Sequence, residues 1–332
     1  MIDSKPEMIC ILNQNQDPYF NLAAEEYLLK NSQSEYFMLW RCDSAVVVGK
    51  HQNALAEINY PYVKKNNINV ARRLTGGGSV FHDPGNVNFT FIQGGEKGKL
   101  VDFKRFITPI LEMIQQLGIQ AEQGMKNEIL LHGKKISGNA EHVFKSRILH
   151  HGTLLFSSQL TKLNEALKVI PGKYKDKAVQ SNRSEVTNIL QYLNRKMKVE
   201  EFMQILFSSF LKSSPNFQEY RFNPTDIQAI SNLAMEKYKT WDWIYGYSPR
   251  YSFNNKVLVD KKFIDIELNV ENGIIQSAQL SGNYLTENQS VSISRALEGV
   301  RHREDQVSKV IQNLAFQNIT NFEIDKILES FF

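Results

Sequence analysis

Cysteine occurs only twice in 332 residues, as Cys10 and Cys42. A disulfide framework and a four-cysteine zinc site are therefore excluded, and the usage fits a reducing compartment. Long hydrophobic runs are also missing, with no stretch reaching the ~18 apolar residues that span a bilayer. The opening residues carry Asp3 and Glu7 and no arginine before Arg41. That argues against a secretory signal and an arginine-rich transit peptide, so the expected location is cytoplasmic. Glycine (18) and proline (9) are too scarce for a collagenous or linker-like chain. Charge of one sign is scarce as well. Lys plus Arg number 39 against 35 Asp plus Glu, a net +4. This argues against nucleic acid as a partner, while a phosphate-bearing ligand or an acidic protein would suit it.

What is present is ordinary globular composition, 42% hydrophobic and 22% charged. The length predicts about two domains. The first third alternates strands and helices without the even spacing of repeated βαβ units. Strands are expected at 9–12, 36–40, 45–48, 87–92, 128–132 and 153–157, and helices at 20–29, 59–65, 104–117 and 160–169. Residues 87–92 alternate apolar and polar, as in a half-buried strand. Pro109 is expected to kink its helix or mark its true first turn. This pattern predicts an α+β fold with a large mixed sheet rather than a doubly wound parallel one. Helices dominate 200–239. After the aromatic run Trp241-Asp242-Trp243-Ile244-Tyr245-Gly246-Tyr247 the texture changes to a three-stranded meander with a turn at Asn272-Gly273, then three helical stretches. We therefore expect a large domain over 1–247 and a small α+β domain over 248–332.

Three segments carry chemistry. The first is Arg72-Arg73-Leu74-Thr75-Gly76-Gly77-Gly78-Ser79-Val80-Phe81-His82-Asp83. Three glycines in succession cost backbone entropy and serve where a chain bends or is approached closely. Free N–H groups in such a loop form an anion cradle, and two arginines add forked donors. The bland alternative is a flexible hairpin with solvated arginines. The second segment is Asn127-Glu128-Ile129, followed by Gly133-Lys134-Lys135-Ile136-Ser137-Gly138-Asn139-Ala140. It reads either as a solvated strand edge or as a lysine aimed at an acyl or phosphoryl oxygen. The third is His150-His151-Gly152-Thr153-Leu154-Leu155-Phe156. Paired histidines raise the idea of a metal, but no third ligand lies at a helical spacing, which favours structural or substrate-positioning roles.

Taken together these segments resemble the lipoate–protein ligase family, in family order and over essentially the whole chain. Arg183-Ser184-Glu185-Val186-Thr187-Asn188 and Trp243 through Ser248-Pro249 extend the match. The resemblance implies a catalytic domain related to biotin and lipoate ligases plus a C-terminal accessory domain. It implies a ligase that uses ATP and Mg2+ to convert lipoate into lipoyl-adenylate. The lipoyl group then passes to a lysine of an apo lipoyl domain or the glycine-cleavage H protein. By the same resemblance Lys135 bridges the adenylate oxygens and Arg73 contacts the nucleotide. Gly76, Gly77, Gly78, Ser79, Val80 and Phe81 line the adenylate, and His82, His151 and Thr153 line the pocket. Asn127 and Glu128 stand near the metal, and the apolar tail lies against Val80 and Leu154. The chain departs from the family pattern at Glu128, where the family has Asp, and at Glu185, where it often has Arg. It departs again at Glu141-His142-Val143, where an adenylate-contacting arginine is replaced, so that this contact is either absent or taken over by Arg147.

Rival readings share the fold. A cysteine-dependent octanoyl or lipoyl transferase is disfavoured because both cysteines precede residue 50. A biotin ligase would carry a Gly-Arg-Gly-Arg repeat that is absent here. A lipoyltransferase that needs preformed lipoyl-adenylate remains open. A binding protein without turnover gives no reason for Arg73, the three glycines and Lys135 together.

Overall fold

The computed structural model describes residues 8–95, 100–182, 184–213, 216–259, 261–313 and 321–332. Arg183 and the residues beyond 313 of the second expected C-terminal helix fall outside them. The chain divides into two compact units. The first joins Met1–Lys50, Asn69–Asn164 and Ser181–Thr240. Its main sheet has six strands, in the order Asn139–Phe144, Arg147–Leu155, Asn86–Gly94, Glu35–Trp40, Met8–Leu12, Phe217–Tyr220. The last two junctions are parallel and the rest antiparallel, which makes the sheet mixed as expected. The helices Phe103–Gln116 and Val199–Lys212 supply one core with Phe37, Phe89 and Phe91. Phe37 stacks on Phe210 at 3.9 Å between ring centroids.

Several local expectations are met for identifiable reasons. Helix Pro18–Asn31 starts where Asp17 accepts the Tyr19 N–H and Pro18 occupies the first turn. Asn59 caps the helix Tyr60–Lys65 in the same way. Pro109 lies inside a helix whose true cap is Asp102. Strand Asn86–Gly94 departs from expectation. It is buried on both faces: Asn86 Nδ2 donates to Asn88 Oδ1, and Thr90 Oγ1 donates to Glu25 and accepts from Trp40. The third motif also extends further than predicted. His150 and His151 sit mid-strand in Arg147–Leu155. The strand Phe217–Tyr220, in a region expected to be helical, pairs in parallel with Met8–Leu12.

Two small three-stranded sheets in this unit carry the motifs. Ala45–Val48 lies between Asn69–Arg72 and Val80–His82. Ile129–Leu131 lies between Ala121–Gln123 and Lys134–Ser137.

The second unit is assembled from His51–Ile68, Glu165–Gln180 and Trp241–Phe332. Its meander, Tyr251–Val259, Lys262–Glu271 and Ile274–Gly282, turns at Asn272 and Gly273, both at positive φ. A fourth strand, Tyr174–Asp176, comes from far upstream and pairs with Tyr251–Val259. The aromatic run folds as a wide π-helical turn, Asp242–Gly246. A Cβ on Gly273 would stand 2.4 Å from the Trp241 ring, so the hairpin turn and the indole are in close approach. Phe332 closes the unit, stacked between Tyr60 at 4.8 Å and His302 at 4.9 Å. His302 Nε2 donates to the Phe331 carbonyl at 2.6 Å, which leaves Nδ1 to accept from Tyr251 Oη at 2.7 Å.

Candidate active site

The glycine loop hangs from Ala45–Val48. Arg73 N–H donates to the Val48 carbonyl and Lys50 N–H to the Thr75 carbonyl. Gly49 is required by close approach, since a Cβ there would stand 2.1 Å from the Gly77 oxygen. Gly77 adopts φ +87°, a left-handed conformation that side chains resist. Neither arginine is solvated. Arg72 is fully buried and its Nη1 donates to the Gly49 and Lys50 carbonyls. Arg73 folds beneath the loop. Its Nε donates to Thr75 Oγ1 at 2.8 Å, Nη1 to Val47 O at 3.0 Å, and Nη2 to Gly76 O and Gly78 O at 2.6 and 2.7 Å. A cation that gathers carbonyls on one side leaves amide N–H groups for the other. The Ser79 N–H meets an oxygen there, Ser181 Oγ at 2.8 Å.

Behind the loop runs a buried hydrogen-bond chain. Thr75 Oγ1 contacts His151 Nε2 at 2.8 Å, and His151 Nδ1 contacts Glu25 Oε2 at 2.9 Å. Thr90 Oγ1 donates to Glu25 Oε1 at 2.6 Å, and Trp40 Nε1 donates to Thr90 Oγ1 at 3.0 Å. One set of proton positions satisfies every link. Arg73 donates to Thr75, Thr75 to His151 Nε2, His151 Nδ1–H to Glu25, and Trp40 through Thr90 to Glu25. A fully satisfied buried network of this kind holds one geometry. It ties the loop to helix Pro18–Asn31 through Thr90 and through two residues that the motifs did not single out, Glu25 and Trp40. Their only mark in the sequence is a pair of carboxylates, Glu25 and Glu26, set in an otherwise apolar helical run.

Lys135 and Lys134 part company because successive strand residues face opposite ways. Lys134, its side chain 43% exposed, pairs with Glu185 at 2.6 Å, so the departure at Glu185 is balanced by a surface ion pair. Lys135 is half-buried. Its backbone is bridged to Glu185 and Thr187. Its Nζ has no hydrogen-bond or ion-pair partner among the described residues. Gly138 makes room for it, since a Cβ there would stand 3.1 Å from the Lys135 Cε and Nζ. Burial holds the ammonium below the ordinary lysine value; Glu128 opposes this, and the positive charges of Arg73 and Lys126 add to it. The couplings place Lys135, Arg73 and Glu128 in one electrostatic neighbourhood.

The remaining motif residues occupy distinct places. Thr153 Oγ1 accepts the Gly138 N–H at 3.1 Å. Phe81 is buried, so only its backbone is offered to a ligand, whereas Val80 is half-buried. His82 is buried against Cys42 Sγ at 3.7 Å, and its Nε2 has no hydrogen-bond partner among the described residues. Burial first, then Arg73 and His151, push its pKa down to about 3, so the ring is neutral. His150 faces away from His151, with Nδ1 2.9 Å from Glu141 and its ring stacked on Phe106. Asn127 sits at φ 60°, and its carbonyl accepts from Asn139 Nδ2 at 2.7 Å. Arg147, expected to replace a missing adenylate contact, binds the Ser34 carbonyl. It stands six residues from Thr153 along one strand, roughly 20 Å away. Both cysteines are buried; burial raises the Cys10 thiol to about 12 and lifts that of Cys42 further. Neither is an available nucleophile.

The chain has relatives among known proteins. The family described as Lipoyl protein ligase A/B catalytic domain matches residues 17–211, and the Bacterial lipoate protein ligase C-terminus matches 248–331. Lipoate–protein ligase 1 of Staphylococcus aureus is 37% identical over 90% of this chain and 92% of its own. The Bacillus subtilis lipoate-protein ligase LplJ is 37% identical over 94% of this chain and 97% of its own. Among solved structures, a lipoate-protein ligase A bound with ATP superposes with a TM-score of 0.61. It is 25% identical and covers 74% of this chain and all of its own. The fold is also that of P. falciparum LipL1, at a TM-score of 0.62, covering 97% of this chain and 98% of that one. No described helix is long and apolar enough to cross a membrane. A braced glycine loop and a lysine without a partner among the described residues thus sit in a chain that belongs to the lipoate–protein ligase family, enzymes that attach lipoate to proteins.

Proposed function

We propose that this chain activates lipoate with ATP and transfers the lipoyl group to a lysine of an apo lipoyl domain or glycine-cleavage H protein. The observation that carries the reading is Lys135, a half-buried ammonium with no partner among the described residues, beside a glycine loop braced from within. A fixed charge in a partly desolvated site is poised for an oxyanion. In the first step a lipoate carboxylate oxygen attacks the α-phosphorus of ATP, and the bond to pyrophosphate breaks. In the second, the acceptor amine attacks the acyl carbon, the bond to AMP breaks and the amine loses a proton. Lys135 neutralises charge on the carboxyl and phosphoryl oxygens in both. Gly76, Gly77 and Gly78 offer backbone donors beside Ser79, whose own N–H is held by Ser181 Oγ, and Arg73 acts on the nucleotide by shaping that loop. Val80, His82, His151 and Thr153 border the acyl group. The name of the ATP-bound relative supports the nucleotide. We assign the catalytic role to 1–247 and an accessory role to 248–332.

Magnesium commonly combines one or two carboxylates with substrate phosphates. The residues fit such an ion. Glu128 Oε2 is buried without a hydrogen-bond partner among the described residues, and Asn127 adjoins it. Glu128 would hold the cation, which supplies neutralisation of phosphate charge. Incubation with lipoate, Mg-ATP and an apo lipoyl domain should add the lipoyl mass only when ATP is present. A gain only with supplied lipoyl-adenylate would replace the ligase reading by the transferase.

A further inference from the structure

The six-stranded sheet ends in Asn139–Phe144, which pairs on one side only among the described strands. The Thr153 N–H donates to the Gly138 carbonyl, which sets the alternation of this antiparallel pair. Residues 140, 142 and 144 then bond inward, and Asn139, Glu141 and Val143 turn their N–H and C=O outward. No backbone partner for those outward groups exists among the described residues. An unpaired edge is a template for another strand, and proteins usually cover or blunt it. This strand begins four residues after Lys135, and a Cβ on Gly138, just before the strand, would stand 3.1 Å from the Lys135 ammonium. Anything paired along the edge is therefore delivered to the catalytic lysine.

The edge is also charged. Lys30 and Lys145 each lie 5.4 Å from the Phe144 ring centroid. Burial lowers the pKa of His142, and the charges of Lys50, Lys30 and Lys237 lower it further against Glu26. Glu26 is the shared partner of both Lys30 and Lys237 at 2.6 Å. Glu141 is turned onto His150. Lys30 and Lys145 thus flank the end of the strand, and Lys50 and Lys237 act on His142 within it, against Glu26, which is shared by Lys30 and Lys237, and Glu141, which is turned onto His150.

We infer that Asn139–Phe144 is the docking edge for the acceptor protein, which adds an antiparallel strand of an acidic domain and so presents its target lysine to the site. This rests on the ligase reading above. Main-chain pairing would give affinity in the manner of strand addition, and the lysines would select an acidic partner.

Two altered chains test it, Val143→Pro, which removes an outward N–H from an edge, and the pair Lys30→Gln with Lys145→Glu. Adenylate formation from lipoate and ATP, followed by pyrophosphate release, should stay within about twofold in both. The KM for an apo lipoyl domain should rise about tenfold or more, with kcat changed less, and the charge pair should flatten the salt dependence of transfer. An unchanged acceptor KM in the charge pair overturns the proposal, whether or not Val143→Pro folds. Equal loss of both half-reactions also overturns it. Dimerisation of the unaltered chain that Val143→Pro abolishes would assign the edge to a second copy instead. Failure of the unaltered chain to form adenylate would defeat the ligase reading itself.

Discussion

Lys135 and Lys134 are adjacent in sequence, yet one is half-buried without a described partner and the other is in a surface ion pair. Lys135→Ala should lower adenylate formation ~10²–10³-fold, the usual loss for a preorganised charge, while the fold survives. Lys134→Ala should change it little. A lowered pKa means that Lys135 loses its charge at a lower pH than an ordinary lysine, so the alkaline limb of the rate profile begins early. Lys135→Arg, which cannot deprotonate in this range, should shift that limb upward in any activity it retains. Pyrophosphate release against pH measures both. His302 makes a second residue-scale prediction. Burial, with Lys173 adding and the Phe331 carbonyl opposing, lowers its pKa from 6.5 to about 4. The unfolded chain therefore binds this proton first as pH falls. The stability from a neutral buried ring is complete above 6.5 and is lost between 6.5 and 4, at about 1.4 kcal/mol per pH unit. Thermal melts over that window should flatten in His302→Gln.

At the scale of elements the glycine loop is decisive. Gly77 has φ +87° and a Cβ there would meet Arg73 Nη2 at 3.1 Å, whereas nothing stands within 4 Å of a Cβ on Gly76. Gly77→Val should strain the loop and destroy ATP binding by calorimetry. Gly76→Ala should leave the melting temperature unchanged and still weaken ATP binding, because the space it fills is the ligand's. Unaltered affinity in Gly76→Ala would mean that the loop is a connector at that position. The buried chain from Arg73 through Thr75 and His151 to Glu25 explains how so glycine-rich a loop is held in one form.

For the whole molecule, the C-terminal unit draws strand Tyr174–Asp176 and helix Tyr60–Lys65 from upstream. Truncation after Tyr247 therefore removes the pairing partners of Tyr174 and the ring that covers Tyr60. The shortened chain should melt lower and bind a hydrophobic dye, even where its circular dichroism stays mixed α/β. Phe332→Ala should give a milder version, about 3–5 kcal/mol if the site cannot collapse. An unchanged melting temperature in the truncated chain would show that the upstream segments do not depend on the unit they join.

Local signals were legible in the sequence because they act over a few residues. Asp17-Pro18 marks a turn, Asn59 caps a helix, Asn272-Gly273 turns a hairpin, and the motif order singles out Lys135, directly before Ile136-Ser137-Gly138, from Lys134. The motifs likewise declared the glycine loop, the lysine strand and the family. What only tertiary structure decided depends on partners distant in the chain. Asn88 and Thr90 read as solvent-facing but are buried, because Glu25 and Trp40 arrive from other elements to bond Thr90. Arg72 and Arg73 read as ligand-facing forks but turn inward, because backbone carbonyls 3 to 26 positions away converge on them. Residues 51–68 and 165–180 read as parts of the first domain but join the second; within 165–180, strand Tyr174–Asp176 takes its pairing from the second unit's sheet, which offers a free edge.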